Sequence, residues 1–163
     1  MVRNLLKEPV SILMPVSNEE GVIEEVIEEW VEDVFQYLPE GSEFLFDEAG
    51  STDGTRNILK KLCKKYTFLD VDYHDKKEGF SIAAKRLYKR SKCPLIFFTD
   101  SDGQYIAKDF WKLTKYIDRY DMVHGVKIGR KDPFLRRLLS FFFNKTINFV
   151  LSIYLIDMNS AFR

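Results

Sequence analysis

Apolar residues follow two periods along this chain. Residues 10–16 (VSILMPV) form a nearly continuous apolar run rich in β-formers, as expected of a strand covered on both faces. Over residues 19–38 the period changes. Val22, Ile23, Val26, Ile27, Trp30, Val31, Val34 and Phe35 recur at helical spacing with glutamates opposite, which predicts an amphipathic helix. Pro39 and Gly41 end it. Residues 43–48 (EFLFDE) predict a second strand, residues 55–65 a helix, 67–73 a third strand, 79–91 a helix and 94–99 a fourth strand. A helix over 109–119 and a strand over 121–125 follow. Asp132-Pro133 can then cap and open a long helix.

Strands and helices alternating at this spacing imply right-handed crossovers and a mainly parallel sheet with helices on both faces, a Rossmann-like α/β architecture. The 163 residues suit one domain. The formal net charge of +0 supplies no overall field for nucleic acid, so no nucleic-acid partner is expected. Charge is unevenly placed, however: residues 19–33 hold eight acidic side chains, and residues 127–145 are basic. Cys63 and Cys93 lie far apart without metal-like spacing and read as buried free thiols of a reducing compartment. The first 16 residues are too short and interrupted for a signal peptide. Residues 138–156 make a 19-residue apolar stretch, near bilayer-spanning length, but six of them are polar and Lys145 falls near the middle. An amphipathic helix packed on the sheet, or lying near a membrane surface, suits that pattern better than a span.

In open α/β sheets ligands bind beyond the carboxyl ends of the strands, and four polar constellations fall there. They are Pro15-Val16-Ser17-Asn18-Glu19, residues 47–55 (DEAGSTDGT), residues 100–104 (DSDGQ) and residues 125–130 (GVKIGR). Asp100 and Asp102, with Gln104 two residues on, can present oxygen donors to a hard divalent ion such as Mg2+ or Mn2+. A solvated turn with an aspartate helix cap is the competing reading. In the second constellation Ser51, Thr52 or Asp53 can cap the following helix. That leaves Asp47-Glu48, whose carboxylates could accept hydrogen bonds from a nucleobase. The basic series Lys127, Arg130, Lys131, Arg136 and Arg137 is either a solvated face or the cationic side of a diphosphate site.

Together the segments ILMPVSNEE, FDEAGSTDGT, FFTDSDGQY, GVKIGRKDPFLRRLLSFFFN and DMNSAFR resemble, in order and spacing, glycosyltransferase family 2, and most of all its polyprenyl-phosphate sugar transferases. The resemblance implies an A-type glycosyltransferase fold that binds a nucleotide-diphosphate sugar with Mg2+ or Mn2+. By position it implies that Pro15, Ser17 and Glu19 border the nucleoside and that Asp47, Glu48 or Ala49 border the base. Asp100, Ser101, Asp102 and Gln104 would hold the metal and diphosphate. Lys127, Arg130 and Arg137 would face the donor diphosphate or the acceptor phosphate. Asp157 and Arg163 match a segment near the acceptor, with Asp102, Asp157, Arg130 and Arg137 as the catalytic set. The chain departs from the family pattern at Ser17 (often tyrosine), Ala49 (often aspartate), residues 106–107 (often Asp-Pro), Lys127 (usually arginine) and Ala161 (usually glycine).

The resemblance implies an inverting sugar transfer to a polyprenyl phosphate at the cytoplasmic face of a membrane. The chain reads as a single catalytic domain over residues 1–163, shortened on its acceptor side. A soluble family 2 transferase extending a surface polysaccharide, and an inactive nucleotide-sugar-binding remnant, are the alternative expectations.

Overall fold

The computed structural model describes residues 6–126, 145–146 and 161–162. Strand β1 (Val10–Val16) is buried along its whole length. Helix α1 (Ile23–Asp33) follows, then a 3-10 turn (Phe35–Tyr37), β2 (Glu43–Ala49), α2 (Thr55–Lys65), β3 (Leu69–His74), α3 (Phe80–Arg90) and β4 (Leu95–Phe98). The strands are parallel and stand in the order β3-β2-β1-β4, with Ser11 opposite both Glu43 and Ile96. The chain therefore winds outward from β1 to β3, then crosses back to place β4 on the other side of β1. That reversal between β1 and β4 opens a crevice at the carboxyl edge, where sheets of this kind bind ligands.

Strand alternation sends successive side chains to opposite faces and so divides the core. Ile12, Met14, Val16, Phe44, Phe46 and Phe97 pack with Val26, Ile27 and Trp30 of α1 and with Leu59 and Leu62 of α2. Trp30, 1% exposed, sits against the rings of Phe97, Phe110 and Phe162. On the other face Leu13, Leu45 and Phe98 meet Leu87 of α3 and Ala161. Among the described residues this second cluster is the smaller, and it lies on the face where Pro15, Asp47 and Ala49 continue the alternation towards the crevice.

The structure departs from expectation in three places. Helix α1 begins at Ile23, because Asn18 adopts a left-handed backbone (φ 57°) and the preceding residues are drawn into a loop. The helix expected over 109–119 is reduced to α4 (Phe110–Leu113) between 3-10 turns at Ala107–Asp109 and Thr114–Tyr116. The Thr114 hydroxyl donates back to the Trp111 carbonyl (3.1 Å), a local bond that competes with helix continuation. Residues 121–125 are irregular rather than a strand, although the Gly125 amide donates to the Phe162 carbonyl at 2.8 Å. Asp121 and Gly125 are poor residues for a pleated ladder. The long helix expected after Asp132, and almost all of the 138–156 stretch, lie outside the described residues. Among the described residues no helix is long and apolar enough to cross a membrane.

Candidate active site

At the carboxyl edge of the sheet a pocket collects residues from four connections. Pro15, Val16, Ser17 and Glu19 line it after β1, and Ala49 does so at the end of β2. Lys77, Gly79, Phe80 and Ala83 come from the β3–α3 connection and the start of α3, and Asp100, Ser101 and Asp102 from the end of β4. The expected nucleoside-side and metal-side residues thus meet in one place.

A clasp joins the loop that carries Ser17 and Glu19 to the loop after β2. Asn18 donates its amide to Ser51 Oγ (3.0 Å) and accepts from the Thr52 amide through Oδ1 (2.8 Å). The Glu19 amide donates to Thr55 Oγ1 (2.8 Å), and the Glu20 amide to Asp53 Oδ2 (3.2 Å). In return the Gly54 amide donates to Glu20 Oε2 at 2.8 Å. A Cβ at Gly54 would fall 2.5 Å from Glu20 Oε1, so a larger residue there would push the Glu20 carboxylate off the Gly54 amide. Ser51 and Thr52 therefore spend their groups on the neighbouring loop rather than on capping α2. Asp53 does both, since its Oδ1 also accepts the Thr55 amide (3.1 Å).

The clasp aims the Glu19 side chain into the pocket beside Asp100 and Asp102. Burial pushes the Glu19 carboxyl above its usual range, and repulsion from Asp102, Asp53 and Asp100 adds to the push. Asp102 is braced by the Gln104 amide, which donates to its Oδ1 at 3.0 Å. A positive φ of 70° at Gly103 permits that tight turn. Gln104 thus contributes its main chain to Asp102 and does not line the pocket, whereas Ser101 does and is 4% exposed. Ser17 Oγ is buried and has no hydrogen-bond partner in the described protein.

Asp47 and Glu48 are both fully buried and do not line the pocket. Strand alternation points them to opposite faces, and an arginine meets each. On the α3 face Arg86 donates Nε to Asp47 Oδ2 (2.7 Å) and Nη2 to Oδ1 (3.0 Å). On the α2 face Glu48 accepts from Arg56 Nε (2.6 Å) and from the Ser51 amide (2.6 Å). Ala49, one residue on, is the member of the expected base-side set that reaches the pocket.

Among the described residues Asp47, Asp72 and His74 form the one group of three potential metal ligands whose ligand atoms all lie within 4.8 Å of one another. His74 Nε2 lies 3.2 Å from Asp47 Oδ2 and 3.4 Å from Asp72 Oδ2, close enough for ion pairing but aligned for a hydrogen bond with neither. Two carboxylates and an imidazole are a donor set that a divalent ion can use. Here Arg86 already takes both Asp47 oxygens, and Arg90 Nη1 stands 3.9 Å from Asp72 Oδ2. Arg86 also pairs with Glu78, and Arg90 holds Asp70 more closely, at 2.7 Å, so the two guanidiniums are shared among four carboxylates. The pocket carboxylates Glu19, Asp100 and Asp102 instead face a single described lining cation, Lys77.

Lys77, Phe80 and Ala83 were not legible as site residues. Gly79 and the helical pattern after it marked the start of α3, but nothing in the sequence said that its first turn faces the crevice. Lys127, Arg130, Arg137, Asp157 and Arg163 lie outside the described residues.

Comparison with known proteins now bears on this arrangement. The sequence pattern of Glycosyl transferase family 2 matches residues 11–161. This chain belongs to glycosyltransferase family 2. The match runs from the second residue of β1 past the described part of the sheet, so the pocket lies inside the family domain. A related sequence is "Putative glycosyltransferase CsbB" of Bacillus subtilis (strain 168), 28% identical over 160 residues that cover 94% of this chain and 47% of the relative. Among solved structures, the mannosyltransferase PcManGT from Pyrobaculum calidifontis, in complex with GDP-Man and Mn2+, superposes with a TM-score of 0.63 at 18% identity, over 86% of this chain and 42% of that one. Mannosyl-3-phosphoglycerate synthase from Rubrobacter xylanophilus gives 0.62 at 17% identity, over 84% and 47%. The S. aureus TarS 1-349 complex with UDP-GlcNAc gives 0.59 at 25% identity, over 77% and 37%. The family 2 domain described here has the A-type glycosyltransferase fold, and the chain spans less than half the length of each of these relatives.

Proposed function

We propose that this family 2 domain is an inverting glycosyltransferase that moves a sugar from a nucleotide-diphosphate sugar to a polyprenyl phosphate, with Mg2+ or Mn2+ as cofactor. The observation that carries the reading is the meeting of Asp100, Asp102 and Glu19 with Ser17 and Ala49 in one pocket at the switch point of the sheet. Neighbours of the same fold are seen with GDP-Man and Mn2+ in one case and UDP-GlcNAc in another, which supports a nucleotide sugar as donor.

The donor set fits a hard divalent ion. It is built from carboxylate oxygens, and the upward push on Glu19 reflects negative charge crowded into a partly buried space. Asp100 and Asp102 would hold the ion, with Asp102 kept in place by the Gln104 amide. When bound, the ion would supply positive charge opposite the leaving nucleoside diphosphate. Pro15, Ser17 and Ala49 would border the nucleoside, and the buried Ser17 hydroxyl would find its missing partner there. Asp47 and Glu48 would act as positioning residues, since their oxygens are already taken by Arg86 and Arg56.

The sequence pattern alone supports the remaining assignments. Lys127, Arg130 and Arg137 would face the donor diphosphate or the acceptor phosphate. An acceptor phosphate is already anionic and needs no strong base, whereas a hydroxyl acceptor would need one, with Asp157 as the candidate. A polyprenyl phosphate acceptor puts the reaction at the cytoplasmic face of the membrane. Calorimetry with UDP- and GDP-sugars, with and without Mn2+, tests the donor half of this reading. Metal-dependent binding of at least one is expected, and no binding of any nucleotide sugar would sink it. Sugar transfer to a short-chain polyprenyl phosphate, against none to oligosaccharides, tests the acceptor half.

A further inference from the structure

We propose that Phe80 is the platform on which the donor's nucleobase stacks. Phe80 carries the one aromatic ring among the described residues that line the pocket. It is the first residue of α3 and is 55% exposed; Ala83 and Leu87 on the same helix are buried, and its other exposed apolar residues, Ile82 and Tyr88, do not line the pocket. The exposed ring is nonetheless held in place. It stands edge-on to the buried Phe98, with centroids 5.8 Å apart and planes at 82°. A ring that is fixed on one side and open to a pocket on the other is the geometry a planar base requires.

The rest of the pocket leaves room for such a partner. Ser17, Ala49, Gly79 and Ala83 all present small side chains or none. The segment leading into Phe80 is fixed as well. Gly50 has φ +67°, and a Cβ there would fall 2.7 Å from the Lys76 carbonyl carbon, so the β3–α3 connection presses directly on the end of β2. Asp47 and Glu48 are withdrawn to their arginines, which leaves the base side of the pocket without a carboxylate from β2. An aromatic face reads no hydrogen-bond pattern, so Phe80 would add affinity for a nucleobase with little choice among bases.

The inference rests on the donor reading above, and the experiment separates the two. Binding of UDP, GDP, their nucleotide sugars and inorganic pyrophosphate, each with Mn2+, is measured by calorimetry for the wild type, Phe80→Ala and Phe80→Trp. For Phe80→Ala, the affinity for UDP or GDP is expected to fall by about 10-fold or more, the size of a lost base–aromatic stack, with pyrophosphate binding unchanged. Phe80→Trp is expected to keep nucleotide affinity, and its added indole should be quenched by UDP or GDP but not by pyrophosphate. Equal loss of pyrophosphate binding in Phe80→Ala would overturn the stacking role in favour of a structural one. Unchanged UDP and GDP affinity, with loss confined to a nucleotide sugar, would overturn it in favour of a sugar contact. If the wild type binds no nucleotide, the donor reading itself fails.

Discussion

Arg86 holds Asp47 through two parallel hydrogen bonds, Nε to Oδ2 at 2.7 Å and Nη2 to Oδ1 at 3.0 Å, across a span of 39 residues. The carboxylate is fully buried, while the guanidinium side chain keeps 23% of its exposure. This pair ties α3 to the centre of the sheet directly beneath the pocket. Arg86→Met removes the bidentate partner and leaves the buried carboxylate with only His74 Nε2 beside it, 3.2 Å away and not aligned for a hydrogen bond, which costs about 3 kcal/mol. The double variant Asp47→Leu with Arg86→Met is expected to recover most of that loss, because the desolvation penalty goes with the charge. Urea midpoints of the single and double variants check both statements.

Glu19 gives a pH signature. Its carboxyl is pushed up by burial first and by Asp102, Asp53 and Asp100 next. A carboxyl raised in the folded state stabilises the fold while protonated, and that contribution is lost as pH rises through the raised value. Glu19→Gln is therefore expected to melt higher than the wild type at pH 7 in EDTA and to show no advantage at pH 3. A variant that melts lower than the wild type at pH 7 would show that the carboxylate is welcome in its surroundings. Added Mn2+ is expected to close the gap at pH 7 by stabilising the wild type more.

Asn18 is the hinge of the loop clasp. Its left-handed φ of 57° suits asparagine or glycine, and its Oδ1 serves the Thr52 amide. Asn18→Gly keeps the backbone and loses the side-chain bond, whereas Asn18→Ala loses the bond and strains the backbone. Losses of about 1 kcal/mol for glycine and about 2 kcal/mol for alanine are expected, read as shifts in chemical denaturation. Equal losses would mean that the backbone conformation carries no strain.

Asp102→Ala tests the metal assignment. The residue sits at the pocket wall in a glycine-containing turn, so its removal is expected to leave the far-ultraviolet circular dichroism unchanged. The Mn2+ dependence of nucleotide-sugar binding is expected to vanish. Affinity that still responds to Mn2+ in this variant would move the metal elsewhere, and Asp47, Asp72 and His74 would be the next group to substitute.

Much of the fold was written in periodicity. The apolar run of β1 and the helical pattern of α2 have the boundaries expected of them, and β2 extends one residue further, to Ala49. A strand buried along its whole length and a helix with one apolar stripe leave little choice of partner. The region after β4 was less legible because short elements there depend on tertiary contacts: α4 gives way to 3-10 turns, and Gly125 answers to Phe162, 37 residues later. Within the site, the position of Asp100 and Asp102 at the end of an apolar strand identified the pocket's acidic wall. The withdrawal of Asp47 was hidden, because its arginine comes from another element 39 residues away. Phe80 was hidden for the opposite reason, since a phenylalanine that begins an amphipathic helix looks like core until the helix is docked.

The clasp between the β1–α1 and β2–α2 loops has a consequence for how such a site can diversify. Each loop supplies acceptors for the other's amides, so lengthening or shortening one strands the donors of its partner. Loop length, the usual currency of variation around a binding site, is closed to these two of the four connections that line the pocket. At these two loops new ligand preferences must come from exchanging side chains at fixed positions such as Ser17 and Ala49, with the backbone beneath them held as a constant frame.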